Sequence, residues 1–271
     1  MNISSEKFYR AIEIIQEDGL VALTRSSSRF VGQKLEDLFR HLKGKITLEV
    51  GGVKASFDSK NGSQYRKIEW RFQSEYDVLE DLIKELRPDD VFFDIGAGLG
   101  LHTCLPAKKI RDGKVIAVEP DPRNLGQLKK NIRLNRLDNI RILKLALADF
   151  EGTSEFNGYT INQSSDETGL RVNSAVGDNL VSQGQVPQPD VIKIDVEGSE
   201  PLVIKGLKNV LRDEACRLLY CEVHQDAPHR PSINDFGTDF PQFREMLENY
   251  GFNLTVLGKR RQELFIKGTK S

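Results

Sequence analysis

The chain has 271 residues, 38% hydrophobic and 29% charged, with a formal net charge of −1. That composition suits a globular fold of one large domain, or one domain with an extension, and supplies no global attraction to nucleic acid or an anionic membrane. Met1 to Arg10 lacks a basic-then-apolar leader pattern, no apolar run nears the ~20 residues of a membrane span, and the odd set Cys104, Cys216 and Cys221 has no metal-ligand spacing, so reduced buried thiols and a cytoplasmic location are expected.

In chain order, Ser4 or Ser5 caps an expected first helix carrying Phe8, Ala11, Ile12 and Ile15, and a second is expected over residues 30–42. Ile46, Leu48 and Val50 alternate, as do Val53, Ala55 and Phe57, with Gly51 and Gly52 between them, which reads as a two-residue hairpin. Residues 60–71 are polar, basic and aromatic, with no element assigned. Ser74 and Asp77 resemble a capping box for a helix burying Val78, Leu79, Leu82, Ile83 and Leu86, which Pro88 stops. Residues 1–73 thus read as an accessory α+β extension ahead of a domain over 74–271.

From Val91 onward strands and helices alternate, which predicts an α/β fold with a mostly parallel, doubly wound sheet. The apolar run Val91–Phe93 ends at Asp94 and is followed by Gly96, Gly98 and Gly100, a tight turn leading into a helix from Leu101 that Pro106 should kink or delay. Strand two, 114–118, ends in Glu119-Pro120; Asp121 and Pro122 then open a helix. Strand three is expected over 140–147, ending in Ala148-Asp149, with a short strand near 154–156. Residues 158–189 are rich in Ser, Asn, Gly and Gln and read as a long loop with one short helix near 177–182. Strand four, 191–194, ends in Asp195-Val196-Glu197-Gly198. Strand five, 218–221, ends in Glu222-Val223-His224. A helix capped by Asp239 follows, then a hairpin of 253–257 and 263–267, which brings the sheet to seven strands closed by a C-terminal β-hairpin.

Strand ends in such sheets face a common crevice, so Asp94, Glu119, Asp149, Asp195, Glu222 and His224 should converge. The position that carries the third glycine of a dinucleotide site is Leu101, and Asp94 would repel a pyrophosphate. S-adenosylmethionine, cationic and free of phosphate, fits better. Glu119 is placed to accept both ribose hydroxyls and Asp149 to accept from the adenine amino group. Asp195 and Glu197 share a two-residue spacing, as do Glu222 and His224. On extended backbone each pair can share a face near the expected methyl position. His102 is expected to pack near the cofactor and Lys193 to pair with an acid. No ligand spacing identifies a metal site, and the oligomeric state is open.

Asp94 to Gly100, Glu119 and Ala148-Asp149 resemble the cofactor motifs of class I S-adenosylmethionine-dependent methyltransferases, which implies a Rossmann-like fold and cofactor contacts at Asp94, Gly96, Ala97, Gly98, Gly100, Glu119, Pro120, Ala148 and Asp149. More narrowly, Ile192-Lys-Ile-Asp-Val-Glu-Gly-Ser-Glu200, Leu219-Tyr-Cys-Glu-Val-His224 and Ala146-Leu-Ala-Asp149 resemble the FkbM family, over about residues 75–267. The family often has Asn where this chain has Gly98. The resemblance implies O-methylation of a sugar or other small-molecule hydroxyl, with Asp195, Glu197, Glu222 and His224 at the acceptor; His224 or Asp195 is then expected as the base for the hydroxyl, with Glu222 as orienter or substrate hydrogen-bond acceptor. The alternative is an RNA methyltransferase, favoured by basic stretches at 66–71, 129–144 and 259–261. It is opposed by the two acids after strand four, where base-amino methyltransferases resemble an Asn/Asp-Pro-Pro-aromatic pattern.

Overall fold

The computed structural model describes residues 44–60, 62–156, 158, 160–162, 170–226 and 230–270. The two helices expected before residue 43 lie outside the described residues. The hairpin forms as β1 (Lys45–Val50) and β2 (Val53–Asp58), with Gly51 and Gly52 at φ 54° and 77°, the left-handed values a two-residue turn requires. The stretch without an assigned element is a helix, α1 (Gly62–Ser74), which buries only Tyr65 and Ile68. Two buried apolar residues in thirteen give too faint a helical period to read. Ser74 consequently ends α1 and does not cap α2 (Tyr76–Glu85), which starts after Glu75 without a side-chain cap. The α2 stripe Leu79, Leu82 and Ile83 is buried as expected.

The principal sheet contains β3 (Val91–Ile95), β4 (Lys114–Val118), β5 (Ile140–Leu143), β10 (Val191–Ile194), β11 (Leu218–His224), β12 (Asn253–Arg260) and β13 (Glu263–Thr269). Its order is β12-β13-β11-β10-β3-β4-β5, with β13 antiparallel to both neighbours and the other pairs parallel. Alternation along the strands feeds two apolar layers. Phe93, Ile95, Ile192 and Ile194 face α6 (Glu200–Gly206) and α8 (Phe240–Glu248). Phe92, Val115 and Val191 face α2, α3 (Leu101–Lys109) and the β1–β2 hairpin. Both faces being covered explains why these strands read as unbroken apolar runs. Pro106 sits inside α3 and does not delay its start. Asp121 caps α4 (Pro122–Leu134), its side chain accepting from Arg123 N.

Two expectations need correction. The run 140–147 is two strands: β5 stays in the main sheet, while β6 (Ala146–Ala148) joins a second sheet of order β6-β9-β7-β8. That sheet also claims the supposed loop, since β7 (Gly152–Phe156) pairs with β8 (Ile161–Asn162) and β9 (Leu170–Val176). Only α5 (Gly177–Ser182) was expected within that stretch. The buried face of β9 is Val172 and Ser174, and Ser174 meets Ser154 at 2.5 Å between hydroxyls. A strand joined by a serine pair carries no hydrophobic alternation. Between β10 and β11 the chain forms two short helices, α6 and α7 (Lys208–Arg212). Cys104, Cys216 and Cys221 are buried free thiols, and burial pushes Cys104 and Cys216 up to about 12. Among the described residues no helix is long and apolar enough to cross a membrane.

Candidate active site

The glycine turn follows β3. Gly96, Gly98 and Gly100 all have positive φ, and Gly96 N and Ala97 N both donate to Val118 O. A Cβ on Gly96 would lie 1.9 Å from the backbone oxygen of Asp195, so the turn abuts the end of β10 because no side chain intervenes. Gly98 differs: at φ 54° with open space around it, its backbone suits Asn, which matches the substitution common in the resembled family. Glu119 clamps the turn. Its Oε2 accepts from Gly98 N at 2.7 Å and its Oε1 from Asp121 N at 2.8 Å. Burial raises its pKa and these N–H groups oppose the rise.

This turn forms one wall of a solvent-open cleft of about 990 Å³, counted with the solvent at its mouth. Gly96, Ala97, Gly98, Glu119 and Pro120 line it as expected, and Asp195 and Glu197 line its far end. Leu145, Ala146, Leu147 and Phe156 form an apolar side, and α1 closes over the cleft with Lys67, Ile68 and Arg71. Gly100 lies behind the lining and starts α3 in a left-handed conformation.

Gly100 is thus one of four expected cofactor residues that do not reach the cleft; the others are Asp94, Ala148 and Asp149. Asp94 is fully buried behind the turn, accepting from Thr103 Oγ1 at 2.5 Å and lying 3.4 Å from Lys193 Nζ. Its carboxylate therefore neutralises a lysine instead of meeting a ligand. Ala148 turns its carbonyl onto Gly206, where a Cβ would lie 1.9 Å away, and Asp149 is exposed. The cause is the split of the expected third strand, which gives the cleft Leu145–Leu147 in place of residues 148–149.

At the far end charges converge from four separated segments. Asp195, 4% exposed, accepts from Arg71 NH1 through Oδ2 at 2.7 Å, and Lys193 Nζ lies 3.4 Å from the same oxygen. Burial disfavours its charge, but Arg71, Lys193 and His224 outweigh burial and hold its pKa well below the carboxylate range. Lys193 has its own pKa raised: burial opposes, while Asp195 and Asp94 prevail. Glu197 adopts φ 54°, which costs a non-glycine residue about 1–2 kcal/mol. This turns its carboxylate back toward Arg71 NH2 (3.4 Å) and His224 Nε2 (3.5 Å). Burial and Asp195 raise its pKa.

His224 is buried with Nδ1 2.8 Å from Glu200 Oε1, and Glu200 is fully buried. Although burial disfavours its charge, Glu200, Asp195 and Glu197 push its pKa up to about 10. His224 is thus protonated at neutral pH and is no free base, contrary to the sequence expectation, and Asp195 is too weak a base for the same role. Glu222 is not its orienter either, because Glu200 takes that place. Glu222 lies 3.7 Å from His224 Nε2 and accepts from Arg260 NH2 at 2.6 Å; burial, Asp195 and Glu75 push its pKa up to about 9.

Arg260 also donates to Glu75 at 2.8 Å and Glu263 at 2.6 Å and stacks 4.6 Å over Trp70, which pins α1 to the hairpin. Sequence reasoning did not single out Arg71, Glu200 or Arg260. Arg71 and Arg260 sat in stretches noted only as basic, and Glu200 was quoted only within a motif. His102 lines the cleft as a neutral imidazole, lowered to about 3 chiefly by burial and then by Lys193. Lys193 pairs with acids as expected.

A seven-stranded sheet with an antiparallel penultimate edge strand, a glycine turn after its central strand and an acid after the next define a Rossmann-like class I methyltransferase. The family described as the methyltransferase FkbM domain matches residues 94–254, and the chain belongs to that family. Its cofactor is S-adenosylmethionine. Over 235 residues the chain is 28% identical to the hexuronic acid methyltransferase AglP of Haloferax volcanii, covering 84% of this chain and 90% of the relative. Among solved structures, a precorrin-6y C5,15-methyltransferase from Geobacter metallireducens aligns with a TM-score of 0.47 and 16% identity, covering 72% of this chain and 89% of the other. The Methanocaldococcus jannaschii TYW2 structure in complex with AdoMet aligns at 0.43 and 14%, covering 84% and 87%.

Proposed function

We propose that this methyltransferase methylates a hydroxyl oxygen of a sugar or glycan. The observation that carries the reading is the face formed by Asp195 and Glu197 at the end of the cleft, with His224 behind Glu197, reached directly from the glycine turn through the Gly96–Asp195 contact. The AglP relative, named for a hexuronic acid, supports a carbohydrate acceptor. Glu119 accepts the ribose hydroxyls through its remaining lone pairs, and the apolar side at 145–147 holds the adenine. The methionine end runs past Gly96 toward Asp195. The acceptor oxygen then attacks the methyl carbon in line with sulfur. A C–O bond forms as the C–S bond breaks, both C–S electrons go to sulfur to give S-adenosylhomocysteine, and the hydroxyl proton passes to Glu197, which lines the cleft and whose pKa burial and Asp195 raise. Holding two reactants in line supplies much of such a rate.

RNA is the competing acceptor, and buried carboxylates beside the methyl position disfavour a phosphate-rich chain. The deciding experiment offers methyl-labelled S-adenosylmethionine with hexuronic-acid-containing glycans and with total RNA. Label in the glycan is expected. Label in RNA alone overturns the reading.

A further inference from the structure

We propose that Asp195, Glu197 and His224 form a divalent-cation site on the acceptor side of the cleft, where the ion binds the hydroxyl oxygen to be methylated. One potential ligand atom from each of the three lies within 4.8 Å of the others. That spacing suits a single ion with bonds of roughly 2.0–2.4 Å. Asp195 Oδ1 is a buried oxygen with no hydrogen-bond partner, on a residue that lines the cleft. Arg71 and Lys193 hold its other oxygen, Oδ2, so Oδ1 is the atom left for a ligand. Glu197 is divided in the same way: Oε1 faces Arg71 NH2 at 3.4 Å, and Oε2 faces His224 Nε2 at 3.5 Å.

The third ligand is oriented from behind. Glu200, fully buried, takes His224 Nδ1 at 2.8 Å. Binding of the ion displaces the proton that Nε2 holds in the metal-free site, while the Nδ1 proton stays donated to Glu200, so the freed Nε2 lone pair faces Glu197 and the ion. A carboxylate behind a histidine is the arrangement that fixes tautomer and ring angle in metal sites. Two carboxylate oxygens and one imidazole nitrogen, with the cleft side open to water and an acceptor, suit Mn²⁺ among common divalent ions. Glu222, 3.7 Å from Nε2, places a further carboxyl oxygen beside the trio.

The inference deepens the proposed function and rests on the reading that this face receives the acceptor. With the ion in place, the hydroxyl oxygen coordinates it, the O–H bond is made more acidic, and its proton passes to water at the open side as the C–O bond forms. Glu197 then acts as a ligand, not as a proton acceptor.

The test uses the full chain stripped with a chelator, with neither cofactor nor acceptor present. Mn²⁺ is titrated in and the free ion is followed by electron paramagnetic resonance. One ion per chain is expected, with affinity reduced on the order of tenfold or more in His224→Ala, Asp195→Asn and Glu197→Gln, and unchanged in the surface control Glu49→Gln. Glu197→Gln, partly exposed and nearly isosteric, keeps the test meaningful if the buried variants fail to fold. Absence of saturable binding overturns the site, as does binding that the three variants leave intact. S-adenosylmethionine calorimetry on the same samples separates the two claims: a protein that binds the cofactor but no Mn²⁺ loses only the cation site.

Discussion

The two ends of the cleft are held by different forces. At the cofactor end the parts are close in sequence and joined by backbone. Gly96 N and Ala97 N reach Val118 O, and Glu119 takes the amides of Gly98 and Asp121. At the acceptor end the parts are side-chain charges from distant segments. Arg71 crosses 124 residues to Asp195, and Arg260 crosses 185 to Glu75. A site of backbone amides needs only a particular turn. A site of buried charges needs every partner present, because each unpaired charge would be costly.

The most severe break of the cofactor end is Gly96→Ala, whose Cβ would collide with the Asp195 carbonyl at 1.9 Å. It should cost about 3 kcal/mol or more in urea unfolding and abolish cofactor binding, because it parts the two ends of the cleft. Gly98→Asn should leave both nearly intact.

Removing Arg71 attacks the other end. Arg71→Met leaves Asp195 buried without its guanidinium and should cost about 2–3 kcal/mol, somewhat below the range for fully buried pairs because Arg71 is 19% exposed. Glu119→Ala should leave stability less affected but weaken S-adenosylmethionine binding roughly tenfold to a hundredfold, the worth of hydrogen bonds to a charged group, measured by calorimetry.

His224 and Glu222 give the acceptor end a pH signature above neutrality. His224 is raised from 6.5 to about 10, so its stabilisation is complete below pH 6.5 and is lost as pH rises toward 10. Glu222, raised from 4.5 to about 9, shifts stability in the same direction, since the folded state holds a proton that the unfolded state releases. Denaturant midpoints should therefore decline from pH 6.5 to 10, and His224→Gln should flatten that decline. The smallest effect is expected for Asp149→Ala, which lies outside the cleft. Cofactor affinity should stay within about twofold, consistent with an exposed side chain that makes no contact there.

The strand and glycine pattern made the main sheet, its closing hairpin and the turn at Gly96–Gly100 readable, because each is set by spacing within a few residues. Glu119 was readable for the same reason, standing in register after a strand. Asp94 was misjudged. The sequence shows an acid beside the turn, but Lys193, on the neighbouring strand, decides which way that acid's charge is spent. Asp149 was misplaced because nothing local marks the break between β5 and β6, and β9, the strand that draws β6 away, is joined to the second sheet through serines.

By itself the sequence determined an α/β fold with its glycine turn, since hydrophobic period and glycine spacing act over short range, and the resemblance of its motifs carried the family and the cofactor. Only the tertiary structure decided the protonation of His224, the role of Glu200 behind it and the reach of Arg71 and Arg260. Charge interactions depend on distance and burial in space, and the sequence specifies neither for residues more than a hundred positions apart.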